Sequence, residues 1–111
     1  MIKLSVIIPV FNEKETILVL LDLVKKSPLV GAIIDEIIVI DDCSTDGTRE
    51  LLRNLNDPLI SVIYKDKNEG KGSCLKIGFL KAKGDIVIIQ DADLELDPAD
   101  RSEEHTSELQ S

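Results

Sequence analysis

Residues 36–42, Glu36-Ile37-Ile38-Val39-Ile40-Asp41-Asp42, decide the fold of this chain. The four aliphatic residues at their centre are all β-branched and do not alternate with polar side chains, so the strand they predict is buried on both faces. Such strands are typical of the interior of a parallel sheet that helices cover on both sides. The two carboxylates that follow mark the end of the strand.

Three other aliphatic runs, residues 4–9, 60–64 and 86–89, predict further strands. Between the strands, apolar or small residues recur at helical spacing on three faces: Ile17, Leu20, Leu21 and Val24; Thr48, Leu51, Leu52 and Leu55; Leu75, Gly78, Phe79 and Ala82. Asn12 and Glu15 predict a capping box before the first helix. Gly84 is expected at the C′ position of the third helix.

This alternation of strand and helix predicts an α/β fold: a Rossmann-like, mostly parallel sheet with right-handed crossovers and helices on both faces. Ligands of such sheets bind outside the carboxyl ends of the strands. In this chain those ends carry polar and acidic residues at positions 9–13, 41–42 and 91–93. We therefore expect the functional site at that edge of the sheet.

The length and charge of the chain exclude several classes of protein. Its 111 residues correspond to one domain, and 21 acidic against 13 basic residues argue against a nucleic-acid partner. No apolar run approaches the roughly 20 residues that cross a membrane. Cys43 and Cys74 lack the spacing of a metal site or a disulfide framework, so we interpret them as reduced and expect a cytoplasmic protein.

The last eleven residues, 101–111, differ from the rest of the chain. Their sequence, RSEEHTSELQS, is polar and resembles the in-frame translation of a short-read sequencing adapter. We therefore expect residues 1–100 to be the native part of a longer reading frame and residues 101–111 to be a non-native, disordered tail. The alternative is a disordered native tail. The single histidine, His105, lies in this segment and is assigned no catalytic role.

Asp91-Ala92-Asp93 directly follows the last predicted strand. Two carboxylates one residue apart concentrate negative charge, which a hard divalent cation, Mg²⁺ or Mn²⁺, relieves by taking oxygen ligands. Glu95 is placed to add a third oxygen. A metal held in this way can neutralise a diphosphate as it leaves. The alternative interpretation is a solvated acidic turn.

Three other features each allow two interpretations. One carboxylate of the Asp41-Asp42 pair can accept a hydrogen bond from a nucleotide base or ribose, or the pair and Ser44 can cap the next helix. Glu13 can contact a sugar or base, or act as an acid at a helix N-terminus. Lys71 precedes a helix without the spacing of a P-loop; its ammonium can face an anion, or the segment can be a plain turn.

Four motifs, in order, carry a resemblance to a known family. They are residues 5–13 (SVIIPVFNE), 39–48 (VIDDCSTDGT), 68–72 (NEGKG) and 84–93 (GDIVIIQDAD). Together they resemble the nucleotide-sugar-binding half of family 2 glycosyltransferases, which have the GT-A fold. The segment DADLELDP, residues 91–98, is most similar to the branch that glycosylates polyprenyl phosphates. The resemblance covers residues 2–100.

The resemblance implies a nucleoside site at the ends of the first two strands. Pro9, Phe11 and Glu13 match the loop that packs around the base and ribose, with Phe11 in place of the commoner tyrosine. Ile40 and Asp42 match the base-recognising end of the second strand.

The resemblance also implies a metal and diphosphate site. Asp91 and Asp93 match the metal-binding D-x-D motif, with Ala92 as the small residue between them. Glu95 matches a supplementary metal ligand. Lys71 lies in the donor-binding loop before the third helix.

The implied activity is metal-dependent transfer of a sugar from a UDP- or GDP-sugar to an acceptor, such as polyprenyl phosphate at the cytosolic face of a membrane. In this family the acceptor site and any general base lie beyond residue 100, so we expect this chain to bind the donor without transferring the sugar. The alternatives are a phospho-receiver signalling domain and a non-catalytic nucleotide-binding module. A receiver would carry its acidic pair after the first strand, where this chain has Pro9-Val10-Phe11.

Overall fold

Strands and helices alternate along the described part of the chain. The structure is a computed structural model and describes residues 1–92. Its elements are, in order, β1 (Ile2–Val10), α1 (Ile17–Lys25), β2 (Ala32–Asp41), α2 (Thr48–Arg53), β3 (Ile60–Tyr64), α3 (Lys71–Lys81) and β4 (Ile86–Ile89). No helix within these residues combines the length and the apolar character of a membrane span. The predicted metal ligands Asp93 and Glu95, and residues 101–111, lie outside the described residues.

The four strands form one parallel sheet in the order β3-β2-β1-β4. β2 pairs with a strand on each side, and its last residue, Asp41, lies opposite both Val10 of β1 and Tyr64 of β3. Because the strands run in the same direction, the loops that follow them meet at one edge of the sheet. The parallel α/β fold predicted from the sequence is confirmed.

Alternate side chains of the central strands face two hydrophobic clusters, one on each side of the sheet. The larger cluster joins β1 and β2 to α1 and α2; its buried members are Val6, Ile8, Val10, Ile17, Leu20, Leu21, Val24, Ile37, Val39, Leu52 and Ala92. The smaller cluster joins Ile7, Ile38 and Ile40 to Cys74 of α3. Helices therefore cover both faces, which is why β2 has no polar alternation in its second half.

The helices differ in how they contact the sheet. α1 buries the four residues of its predicted face: Ile17, Leu20, Leu21 and Val24. That prediction is confirmed. α3 packs through the small residues Cys74 and Gly78, whereas Phe79 is 51% exposed. The prediction that Phe79 belongs to the buried face is wrong, because Gly78 makes the close contact and the next residue points about 100° away around the helix.

Gly84 has a role other than the predicted helix cap. α3 ends at Lys81, three residues earlier, so the C′ prediction is wrong. A Cβ at Gly84 would lie 2.7 Å from Oγ of Ser5 and 2.8 Å from the carbonyl oxygen of Lys3. Glycine is therefore required here because the chain passes close to β1 before β4 begins.

Candidate functional site

A cleft of about 320 Å³ opens at the carboxyl edge of the sheet. Its walls come from the end of β1 and the loop after it, the end of β2, the first turn of α3 and the segment after β4. The residues that line it are Pro9, Val10, Phe11, Glu13, Asp42, Lys71, Cys74, Asp91 and Ala92. The cleft lies where ligands of parallel α/β sheets bind.

Most of the predicted donor-binding residues come together in this cleft. Those that line it are Pro9, Phe11, Glu13, Asp42, Lys71, Asp91 and Ala92. Ile40 does not line it, because its side chain is fully buried in the cluster beneath α3. Asp93 lies outside the described residues. Val10 and Cys74 also line the cleft, and the i, i+3 spacing of Cys74 from Lys71 is the signal that could have identified it.

Asp42 contacts the loop that precedes α3. Its carboxylate accepts hydrogen bonds from the backbone N–H groups of Glu69 at 3.0 Å and Gly70 at 2.8 Å, and it lies 3.2 Å from Nζ of Lys65. Burial alone would raise the pKa of Asp42, but these donors together lower it below its usual value. Asp42 therefore lines the cleft as an ionised carboxylate at neutral pH.

Asp41, the other half of the acidic pair, faces the protein interior. Its fully buried carboxylate accepts hydrogen bonds from the N–H of Ser44 at 3.1 Å and from the Ser44 hydroxyl at 2.5 Å, and it pairs with Nε of Arg49 at 2.5 Å. At the start of α2, Thr48 donates its N–H to Asp46 at 3.0 Å. The interpretation of the acidic pair as a cap of α2 is therefore wrong.

Asn12 joins the loop after β1 to the loop after β2. Its N–H donates to Oγ of Ser44 at 2.8 Å, and its Oδ1 accepts from the N–H of Thr45 at 2.7 Å. Its φ of 53° lies in the left-handed region, which asparagine tolerates. α1 begins only at Ile17 and has no side-chain cap, so the predicted capping box of Asn12 and Glu15 is wrong. Asn12 instead links the loop after β1 to the loop after β2.

Phe11 and Glu13 lie on the loop after β1. Phe11 is 43% exposed and presents an aromatic ring to the cleft. The N–H of Glu13 donates to Oγ1 of Thr48 at 3.0 Å. The Thr16 hydroxyl lies within hydrogen-bond distance of both Glu13 Oε1, at 3.2 Å, and the carbonyl oxygen of Ala92, at 3.3 Å. This loop therefore contacts both α2 and the segment after β4, so its position relative to the cleft is fixed.

Lys71 and Asp91 form an ion pair at the cleft. Lys71 is the first residue of α3, and its Nζ lies 2.5 Å from Oδ1 of Asp91. Their side chains are 54% and 43% exposed, so both are within reach of a ligand. Within residues 1–92 no three His, Cys, Asp or Glu side chains form a metal-binding group. The Asp91 carboxylate already attracts a cation and has the oxygen ligands that Mg²⁺ and Mn²⁺ prefer, so Asp91 fits the role of a metal ligand.

The fold is similar to that of solved glycosyltransferases. The chain is 31% identical to the mannosyltransferase PcManGT from Pyrobaculum calidifontis, solved in complex with GDP-Man and Mn²⁺. The match covers 81% of this chain and 27% of PcManGT, with a TM-score of 0.67. S. aureus TarS 1-349 in complex with UDP-GlcNAc is 30% identical, with 82% and 26% covered and a TM-score of 0.70. These similarities show that the chain has the fold of the GT-A class of glycosyltransferases.

Sequence comparison identifies the family. The model of Glycosyl transferase family 2 matches residues 5–110. The undecaprenyl-phosphate 4-deoxy-4-formamido-L-arabinose transferase of Proteus mirabilis is 38% identical over 99 residues, which are 86% of this chain and 30% of that protein. This chain belongs to glycosyl transferase family 2. Membership of this family excludes the alternative of a phospho-receiver domain. The chain spans about a third of the length of the Proteus mirabilis relative.

Proposed function

We propose that this chain is the donor-binding part of a metal-dependent glycosyltransferase that takes its sugar from a UDP- or GDP-sugar. The observation that carries the proposal is the cleft, which gathers the Phe11 ring, the ionised Asp42 and the Lys71–Asp91 pair at one edge of the sheet. The nucleotide sugars bound by PcManGT and TarS support this class of donor.

The nucleoside is proposed to bind against the loop after β1 and the end of β2. Phe11, with Pro9 beside it, offers an apolar surface on which a base or ribose can pack. Asp42 and Glu13 supply carboxylate oxygens that accept hydrogen bonds from a base N–H or a ribose hydroxyl. Ile40 contributes only through β2, the strand that Asp42 follows, because its side chain is buried away from the cleft.

The diphosphate is proposed to bind beside Lys71 and Asp91. Asp91, together with Asp93 and Glu95, would hold Mg²⁺ or Mn²⁺ through carboxylate oxygens, and PcManGT with bound Mn²⁺ supports a divalent metal. Such a metal supplies positive charge that stabilises a departing nucleoside diphosphate. Lys71 provides a second positive charge on the same side of the cleft, and its ammonium can donate charge-assisted hydrogen bonds to phosphate oxygens.

The acceptor is proposed to be a polyprenyl phosphate at the cytosolic face of a membrane. The support is the 38% identity to a Proteus mirabilis transferase named for undecaprenyl phosphate. An acceptor phosphate is already ionised at neutral pH, so it needs little help from a general base. We expect the 111-residue chain to bind the donor without transferring the sugar, because it spans only 30% of the length of that transferase.

Isothermal titration calorimetry of the chain with UDP and with GDP, each with and without Mn²⁺, tests the proposal. We expect one nucleotide to bind in a Mn²⁺-dependent manner. Asp91→Asn should weaken that binding by about tenfold or more, corresponding to about 1.4 kcal/mol. Asp35→Asn is the matched control, because Asp35 is exposed near the amino end of β2, and its affinity should stay within about twofold. Binding of neither nucleotide by the folded chain would contradict the proposal.

A further inference from the structure

Lys65, the first residue after β3, is a buried lysine outside the lining of the cleft. Its side chain is 5% exposed, and its ammonium has three oxygen partners. They are Asp42 Oδ1 at 3.2 Å, Glu69 Oε1 at 2.8 Å and Ser73 Oγ at 2.5 Å. An ammonium has three hydrogens to donate, and the three oxygens within ion-pair or hydrogen-bond distance all belong to protein side chains. Lys65 therefore acts on protein groups rather than on a ligand.

The partners of Lys65 come from separate parts of the chain. Asp42 follows β2, Glu69 lies in the loop before α3, and Ser73 lies in the first turn of α3. Burying an ion pair such as Lys65–Asp42 costs several kcal/mol per ion in lost hydration. Apolar side chains of similar volume often stabilise a fold as well as a buried ion pair does. What Lys65 adds beyond an apolar side chain is therefore that it fixes the positions of Asp42, Glu69 and Ser73 relative to one another.

Asp42 is the partner that reaches the cleft. Its carboxylate accepts the N–H groups of Glu69 and Gly70 in addition to its contact with Lys65. Only 6% of the side chain is exposed, and that surface belongs to the cleft lining. With three donors from one loop around it, the carboxylate has its orientation set by the protein before a ligand binds.

We propose that Lys65 is a positioning residue for the nucleotide-base subsite, acting through Asp42. This inference rests on the proposed function. Lys65 holds Asp42 against the loop of Glu69 and Gly70, and so fixes the direction in which the carboxylate meets a base N–H. The Lys71–Asp91 pair is not among the contacts of the Lys65 ammonium, so the diphosphate subsite depends on Lys65 much less.

The test compares a nucleotide with a ligand that lacks the base. The affinities of the nucleotide that the wild-type chain binds and of inorganic pyrophosphate, both with Mn²⁺, are measured by calorimetry for wild type, Lys65→Met and Lys65→Arg. Lys65→Met should weaken nucleotide binding about tenfold, or about 1.4 kcal/mol, and pyrophosphate binding less than about twofold. Lys65→Arg keeps the charge and should restore most of the nucleotide affinity.

Lys67→Met is the matched control, because Lys67 is an exposed lysine in the same loop. Its nucleotide affinity should equal that of the wild type. Equal losses for nucleotide and pyrophosphate in Lys65→Met would overturn the inference, since they would show a general loss of structure. Unchanged nucleotide affinity in Lys65→Met would also overturn it while leaving the proposed function intact.

Glu69→Gln keeps the inference testable if Lys65→Met does not fold. Glu69 is 53% exposed at its side chain, so we expect the fold to tolerate this change, which removes one charged partner of Lys65. Nucleotide affinity should fall about threefold with pyrophosphate binding unchanged, and an unaltered nucleotide affinity would overturn the inference. A folded wild-type chain that binds neither nucleotide would instead reject the proposed function, and the inference with it.

Discussion

Replacing Gly78 by alanine tests how closely α3 packs on the sheet. An ideal Cβ at Gly78 would lie 2.6 Å from Cγ2, 2.9 Å from Cδ1 and 3.1 Å from Cγ1 of Ile7. Carbon atoms in van der Waals contact are about 3.5–4.0 Å apart, so the added methyl group overlaps a fully buried side chain of β1. Either α3 moves outward or Ile7 changes its rotamer.

Two effects of opposite sign set the size of the change. Overpacking a core by about one methyl group costs about 1–3 kcal/mol. Alanine in place of glycine within a helix gains about 0.5–1 kcal/mol. We therefore expect Gly78→Ala to lower the free energy of unfolding by up to about 2.5 kcal/mol. In a domain of this size each kcal/mol lowers Tm by about 4–8 °C.

Gly72→Ala is the matched control in the same helix. A Cβ at Gly72 would meet no heavy atom within 4 Å, so only the gain in helix propensity applies and Tm should stay equal or rise. Thermal unfolding followed by circular dichroism at 222 nm, with urea melts for the free energy, measures both variants. A Gly78→Ala chain as stable as the Gly72→Ala chain would refute the close packing of α3 on Ile7.

Two further predictions follow from the pKa values of buried groups. Burial, with a smaller effect from the charge of Asp42, raises the pKa of Cys74 to about 11. Iodoacetamide at pH 8 should therefore alkylate the partly exposed Cys43 and leave Cys74 unmodified until the chain unfolds. Mass spectrometry of peptides measures both reactions, and equal alkylation rates of the two cysteines in the folded chain would contradict the prediction. Because the pKa of Asp42 is lowered in the folded state, its ionised form stabilises the fold above the usual aspartate pKa of 3.8. This contribution is lost as the pH falls through the folded-state pKa. Urea melts between about pH 3 and 6 should show stability falling toward acid, with a shallower fall in Asp42→Asn; parallel curves would reject this role of Asp42.

Local patterns predicted some elements well because their contacts follow from a single periodicity. The face of α1 follows from residues spaced at three and four positions, and the structure buries all four of them. The contact face of α3 does not follow in this way. Its buried residues are Cys74 and Gly78, whose small side chains give a weak hydrophobic signal, so the larger Phe79 misled the prediction.

The polar residues show the same limit. Asn12 followed by Glu15 has the spacing of a capping box, yet Asn12 bonds Ser44 and Thr45, which lie more than thirty residues away. A local motif predicts a local partner, whereas the partner that Asn12 contacts depends on the pairing of β1 with β2.

The sequence by itself determined which segments are strands, that β2 is an interior strand, and that acidic residues follow β2 and β4. Aliphatic runs, helical spacing and strand-ending carboxylates are properties of consecutive residues, so they need no knowledge of the fold. The tertiary structure decided which carboxylate serves which purpose: Asp41 is buried against Arg49, while Asp42 lines the cleft and contacts Lys65. The physical reason is the parallel pairing of β2 with β3, which places Asp41 opposite Tyr64 and brings the following residues, Asp42 and Lys65, together across 23 positions of sequence.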